Sequence, residues 1–259
     1  MICASFITRE LGATSVPSEA TTSGANTRRI AVLAPMRSEL EPLLKRLGLS
    51  QSPERGSGFF WGTVGGSEVV AALTGVGMRA GAQSAARIIE ATSPDHLIVV
   101  GIAGGIGGSV AVGDLIVPDL VLNLDTGATL RPIPLGGCTP QGTLASSAAL
   151  LESPEKARRL QDRGVVAIDM ETAAIAEACE LRGCAWSVFR AISDRADDGS
   201  TDAAVLGLAD SDGSPNLAAL ARFVLAQPQR IPQLVRLARG MRAATRAAAG
   251  AAFAALEAH

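Results

Sequence analysis

Three acidic residues carry the chemistry this chain could do: Glu39, Glu171 and Asp194. Glu171 closes the run Asp169-Met170-Glu171, and Asp194 follows Ser193. Each of these clusters ends a short apolar run, at 165–168 and at 186–192. A carboxyl group fixed at the end of a buried strand can hold a ligand nitrogen or protonate it. The same residue types favour helix N-termini, so capping of the next helix is the competing reading. Glu39 falls in the first turn of a predicted helix, where an acid gains from the helix dipole.

The elements that must position these groups follow from apolar spacing. Between the two apolar runs, residues 172–181 carry Ala174, Ile175, Ala178 and Cys179 at helical intervals. The stretch 165–198 is therefore expected as strand, helix, strand. Continuous apolar strands belong to a sheet covered on both faces. The expectation is that both acidic clusters reach one rim of that sheet, where open α/β sheets bind ligands.

Upstream, residues 29–34 read as a first strand and Pro35-Met36 as a turn. A helix is expected over 38–47, with Leu40, Leu43, Leu44 and Leu47 on one side and Pro42 in its first turn. Residues 59–64 and 68–73 read as strands paired around Gly65-Gly66. Thr74-Gly75-Val76-Gly77-Met78 then enters a helix over 79–89, and Gly75 and Gly77 permit the tight turn. No third glycine follows at dinucleotide spacing. A strand over 96–100 runs into the glycine-rich stretch 101–108, where glycine permits backbone contact with a ligand or close packing. A further strand is expected over 112–117, a Gly- and Pro-rich loop over 125–142, a short strand over 142–146 and a polar helix over 154–162. Residues 199–215 read as a small, acidic loop able to close over a site. Helices are expected over 216–226 and 231–256.

Composition limits the functions open to the chain. Its 259 residues make one large α/β domain or two small ones. A net charge of −2 gives no electrostatic case for nucleic acid. Aromatics are scarce and Tyr is absent, so a stacking platform for bases is not expected. The four Cys and two His lack metal-ligand spacing, so no metal is expected. Cys179 reads as a buried free thiol, and a reducing cytoplasm is the natural setting. Residues 1–28 are rich in Ser, Thr, Ala and Gly, without the apolar core of a signal peptide. They read as a disordered tail, or as a start codon called too early.

The order of residues goes further than their spacing. Asp-Met-Glu-Thr-Ala-Ala at 169–174, followed by Phe-Arg-Ala-Ile-Ser-Asp-Arg-Ala-Asp at 189–197, resembles the nucleoside phosphorylase and nucleosidase superfamily. Within it the chain is most similar to 5′-methylthioadenosine/S-adenosylhomocysteine nucleosidases. The RAISD segment, 190–194, is the most specific part, and GIAGG with VGDLIV adds to it. The resemblance implies a single three-layer αβα domain over 29–259, built on a mixed sheet. It implies N-glycosidic cleavage of an adenosine-like nucleoside with a modified 5′ group, with no cofactor. By the same resemblance Glu39, three residues after Met36, is the base that activates water. Asp194 protonates or hydrogen-bonds N7 of the purine, and Ser193 orients it. Glu171 binds the ribose hydroxyls while Met170 packs on the sugar. The Gly77 loop lies near ribose and the attacking water.

Departures from the family pattern matter equally. Phosphate-binding relatives carry Ser or Thr where Ile102 stands, and a Gly-Asp-Pro plus Arg element near the first strand is missing. Ile102 has no side-chain donor, which favours water over phosphate as nucleophile. Leu150 falls where adenine-specific relatives have an aromatic, a loss of about 1 kcal/mol of stacking. Leu151 falls where the base is hydrogen-bonded through backbone. Relatives are homodimers or larger, so a dimer is expected.

The tail 217–247 resembles hopanoid-associated phosphorylase-like proteins, which are thought to act on adenosylhopane. Its Arg236, Arg239, Arg242 and Arg246 read either as a solvated helix face or as a basic amphipathic helix at an anionic membrane. The rival readings are a phosphorylase and a non-catalytic nucleoside-binding protein of the same fold.

Overall fold

The computed structural model describes residues 27–55, 57–149, 151, 153–196, 203–208 and 216–258. Most of the expected N-terminal tail and Leu150 lie outside these residues.

The first half contains β1 (Arg29–Ala34), α1 (Arg37–Leu47), β2 (Ser50–Gln51), β3 (Phe59–Val64), β4 (Ser67–Leu73), α2 (Met78–Thr92) and β5 (His96–Gly105). Next come β6 (Leu115–Ile116), β7 (Leu120–Asn123), β8 (Thr129–Leu130) and β9 (Thr143–Ser146). The remainder is α3 (Pro154–Asp162), β10 (Val165–Asp169), α4 (Thr172–Arg182), β11 (Ala185–Arg195), α5 (Ala203–Leu206), α6 (Leu217–Ala226) and α7 (Ile231–Glu257).

Everything is arranged about β5. On one edge β11 runs parallel to it from Ala185 opposite His96 to Arg195 opposite Gly105. On the other edge β1 runs parallel along residues 96–99. Beyond β1, β10 joins that same edge in the opposite sense, pairing at Gly104 and Gly105. The sheet is thus mixed.

Alternate strand residues feed two cores, as the pleat requires. On one face Leu97, Val99, Trp186 and Val188 pack with Ala85, Ile88, Ala173 and Ile175 of α2 and α4. On the other, Ile98, Val32 and Phe189 pack with Leu40 and Leu43 of α1 and Ala244, Ala248 and Ala252 of α7. The result is three αβα layers.

Four expectations need correction. First, β10 and β11 do not run side by side to one rim. They lie on opposite edges of β5 and point in opposite directions. Their carboxyl ends therefore meet across β5.

Second, the glycine run is strand as far as Gly105. A Cβ on Gly104 would crowd Ala196, and one on Gly105 would touch Ile192 and Val110. Small residues here serve close packing between β5 and its neighbours.

Third, α1 begins at Arg37, so Pro42 is its sixth residue rather than part of the first turn. The helix forgoes the amide bond Pro42 cannot donate. Fourth, the strand expected over 112–117 is reduced to Leu115–Ile116. The neighbouring β7, whose four residues end in a polar Asn, was not anticipated, and β8 lies inside the expected 125–142 loop. Of the segment expected to close over the site, only 203–208 is described, and a turn of helix stands there.

Candidate active site

A single guanidinium gathers the acidic residues. Arg190, in the middle of β11, is completely buried (0 % exposed). Its Nη2 lies 2.7 Å from Asp169 Oδ2 and 3.3 Å from Glu171 Oε2. Its Nη1 lies 3.9 Å from Glu39 Oε2 and donates to the backbone carbonyl of Ile102 at 3.2 Å. Nε and Nη2 also donate to Thr172 Oγ1. Three carboxyl groups thus share one cation away from water. A Cβ at Gly101 would collide with both Arg190 and Glu39, so glycine is what lets β5 pass the cluster.

The three acids are held differently. Asp169 ends β10 and is saturated. It accepts from Ser146 Oγ at 2.5 Å, from Thr172 Oγ1 and from the Thr172 amide at 3.3 Å. It caps α4, so the capping role falls to Asp169. Glu171, at the N-cap position, makes no side-chain cap bond. Its Oε1 instead accepts from the Gly77 amide at 2.8 Å, from a loop whose Gly77 has φ 104°. Glu39 is 2 % exposed, and its Oε2 accepts no hydrogen bond. Met36 starts α1 as its N-cap, with extended backbone and no side-chain cap.

Electrostatics follow from this crowding. If all three acids ionised, one arginine would face three buried negative charges. Burial pushes Glu39 up to about 8; Arg190 opposes this, and Glu171 and Asp169 reinforce it. Burial likewise raises Glu171 to about 6, against the pull of Arg190. With a value near 8, Glu39 is largely protonated at neutral pH, and a developing positive charge beside it would favour its ionised form.

Asp194 comes from the far side of β5. In β11 the register slips between Ile192, opposite Ala103, and Asp194, opposite Gly104. Ser193 is the extra residue of that bulge, the kind that re-aims a side chain. Its hydroxyl lies within reach of the Ala103 carbonyl (3.3 Å) and donates to Asp194 Oδ1.

Met170 and Ile102 are half-buried near the cluster. Leu151 packs against the small core of Ile106, Leu122 and Leu160. Arg37 lies over the Phe60 ring, 5.3 Å from its centroid. Two surface cavities, of about 420 and 480 Å³, are lined by other residues, chiefly around Ser109–Ile116 and around Arg37–Gln51.

Sequence reading singled out Glu39, Glu171 and Asp194 but gave no role to Arg190, Asp169, Thr172 or Ser146. The signal available was an arginine inside an apolar strand run, since a buried Arg demands acidic partners.

The family model described as the phosphorylase superfamily matches residues 29–150 and 135–226. The chain belongs to that superfamily. A 5′-methylthioadenosine/S-adenosylhomocysteine nucleosidase of Chromohalobacter salexigens is 31 % identical over 203 residues, 64 % of this chain and 84 % of that protein. Among solved structures, the nucleosidase of the same name from Neisseria meningitidis, in complex with methylthio-immucillin-A, is 20 % identical with a TM-score of 0.67. The match covers 90 % of this chain and all of that one. Futalosine hydrolase of Helicobacter pylori matches with a TM-score of 0.68 at 17 % identity, over 89 % of this chain and 98 % of that one. At such identities these two solved structures establish the superfamily fold.

Proposed function

We propose that this chain hydrolyses the N-glycosidic bond of an adenosine-type nucleoside with a modified 5′ group, releasing adenine. The observation that carries this reading is Glu39: a buried carboxyl group with one unbonded oxygen, raised to about 8, next to Glu171. Its relatives named as 5′-methylthioadenosine/S-adenosylhomocysteine nucleosidases support the substrate class.

Cleavage passes through an oxocarbenium-like sugar, so the base must leave with a proton. In the proposed reaction Asp194 gives a proton to N7 as the C1′–N9 bond breaks and its electron pair moves into the purine. Glu39 takes a proton from water as the oxygen bonds to C1′. The positive sugar strengthens the ionised form of Glu39, which couples bond breaking to activation of water. Glu171, fixed by Gly77 and Arg190, accepts from the ribose hydroxyls, and Met170 packs on the sugar.

Water is the nucleophile in this reading for two reasons. Ile102 has no side-chain donor to offer a phosphate oxygen. The guanidinium itself is enclosed by carboxylates, so it is poorly placed to hold phosphate. Phosphorolysis remains the rival reading.

For the 5′ group we favour a lipid-linked nucleoside of the adenosylhopane kind. Arg236, Arg239, Arg242 and Arg246 are exposed on α7, beside exposed Ile231 and Val235. No helix among the described residues is long and apolar enough to cross a membrane, so contact would be peripheral. We further propose a cytoplasmic homodimer, with a second copy bordering the 5′ side, checked by light scattering.

The test is adenine release from methylthioadenosine, S-adenosylhomocysteine and adenosylhopane, each with and without phosphate. Release without phosphate is expected. Release only with phosphate would overturn hydrolysis, and no release from any of the three would overturn the substrate class.

A further inference from the structure

The C-terminal helix crosses the sheet directly behind the Ser193 bulge. α7 packs along β11, and its small buried residues recur on one face: Gly240, Ala244, Ala248 and Ala252. The first of these meets backbone rather than a side chain. A Cβ built on Gly240 would lie closer than 3.0 Å to the carbonyl oxygen of Ser193, and 3.1 Å from Val112 Cγ1. A carbonyl inside a strand cannot swing aside as a flexible side chain can. Gly250, ten residues on in the same helix, has nothing within 4 Å of the equivalent position. Both glycines are inside helix, where the residue costs stability relative to Ala. Only one of them is answered by a close approach.

We propose that Gly240 is a positioning residue for Asp194. The helix backbone there is the surface on which the bulge rests. Ser193 turns its carbonyl to α7 and its hydroxyl to Asp194 Oδ1 and Ala103. The direction of the Asp194 carboxyl group is therefore set from behind by α7. A methyl group at 240 displaces the Ser193 peptide, and the displacement passes to Asp194 one residue away. Misplacement of a catalytic group by about 1 Å costs on the order of a hundredfold in rate.

The inference rests on the reading of Asp194 as the group that protonates the leaving purine, so Asp194→Asn is measured beside it. Two substrates are used: a 5′-modified adenosine, whose base needs a proton, and p-nitrophenyl riboside, whose leaving group does not. Gly240→Ala should lose about a hundredfold in kcat for adenine release with little change in KM. It should keep p-nitrophenol release near the wild-type rate, the same pattern as Asp194→Asn. Gly250→Ala should match wild type on both substrates.

If Asp194→Asn is impaired and a folded Gly240→Ala is not, the positioning role is wrong. It is equally wrong if Gly240→Ala loses both substrates alike. If Asp194→Asn releases adenine like wild type, the reading of Asp194 itself has failed. Should Gly240→Ala not fold, Ala244→Val lifts the same face of α7 one turn away. It must then give the same split between substrates, and equal loss on both would overturn the proposal.

Discussion

Two sets of acidic groups approach each other across β5, and they are held in opposite ways. On the β10 and α1 side, the buried Glu39, Asp169 and Glu171 are fixed by charge around Arg190. On the β11 side, Asp194 is fixed by backbone shape: a one-residue bulge, a neighbouring hydroxyl and the back of a helix. In the proposed reaction two carboxyl groups serve as base and as acid in a single site, and their different surroundings separate the roles. The carboxylates also differ in hydrogen bonding: Asp169 is saturated, whereas Glu39 keeps an oxygen free of hydrogen bonds.

Removing the shared cation should have the largest effect. Arg190→Met leaves three buried acids without a counterion, and removing one partner of a buried ion pair costs about 3–5 kcal/mol. Urea unfolding should register that loss, and adenine release should vanish with it. Wild-type stability in this variant would mean that the guanidinium does not organise the cluster.

Next in size is Glu39→Gln. Loss of a general base lowers turnover by about 10²–10⁴-fold. Stability should move the other way. The folded protein holds the Glu39 proton up to about 8 against a usual 4.5, so ionisation costs stability as pH rises through that window. Glu39→Gln should therefore equal wild type near pH 4 and exceed it increasingly toward pH 8. The gain should level off above pH 8, at an order of a few kcal/mol. Thermal unfolding across pH measures this, and a gap that shrinks with pH would contradict the shift.

The β10 side also predicts a binding phenotype. Glu171→Gln should weaken substrate binding by about ten- to a hundredfold, the loss of hydrogen bonds to a charged acceptor. The effect should appear chiefly in KM and in the affinity of nucleoside analogues. On the bulge side the smallest change is expected: Ser193→Ala removes one hydrogen bond to Asp194, about 1 kcal/mol or some fivefold in turnover. An effect as large as that of Asp194→Asn would mean that Ser193 acts directly.

Much of this was legible in the sequence, and the limits have physical reasons. Apolar runs placed β1, β3, β4, β10, α4 and β11, because buried strands and amphipathic helices have distinct periods. The pairing partners were not legible. Nothing local says that β10 runs against β5 while β11 runs along it, so the common rim was misdrawn. Glu39, Glu171 and Asp194 stood out as acids next to apolar runs. Arg190 was hidden by lying within one, and its role depends on residues 19, 21 and 151 positions away, as Glu171, Asp169 and Glu39. Gly240 could not have been found, since a glycine in an Ala-rich helix carries no sign of what lies against it.

The most direct test is the pH dependence of kcat/KM for adenine release, in wild type and in Glu39→Gln. A limb that rises with pH and inflects near 8 is expected, as the buried Glu39 becomes a carboxylate. That limb should be missing from the residual activity of Glu39→Gln. A wild-type profile flat from pH 6 to about pH 9, or a rising limb that survives in Glu39→Gln, would contradict Glu39 as the base and with it the division of labour across β5.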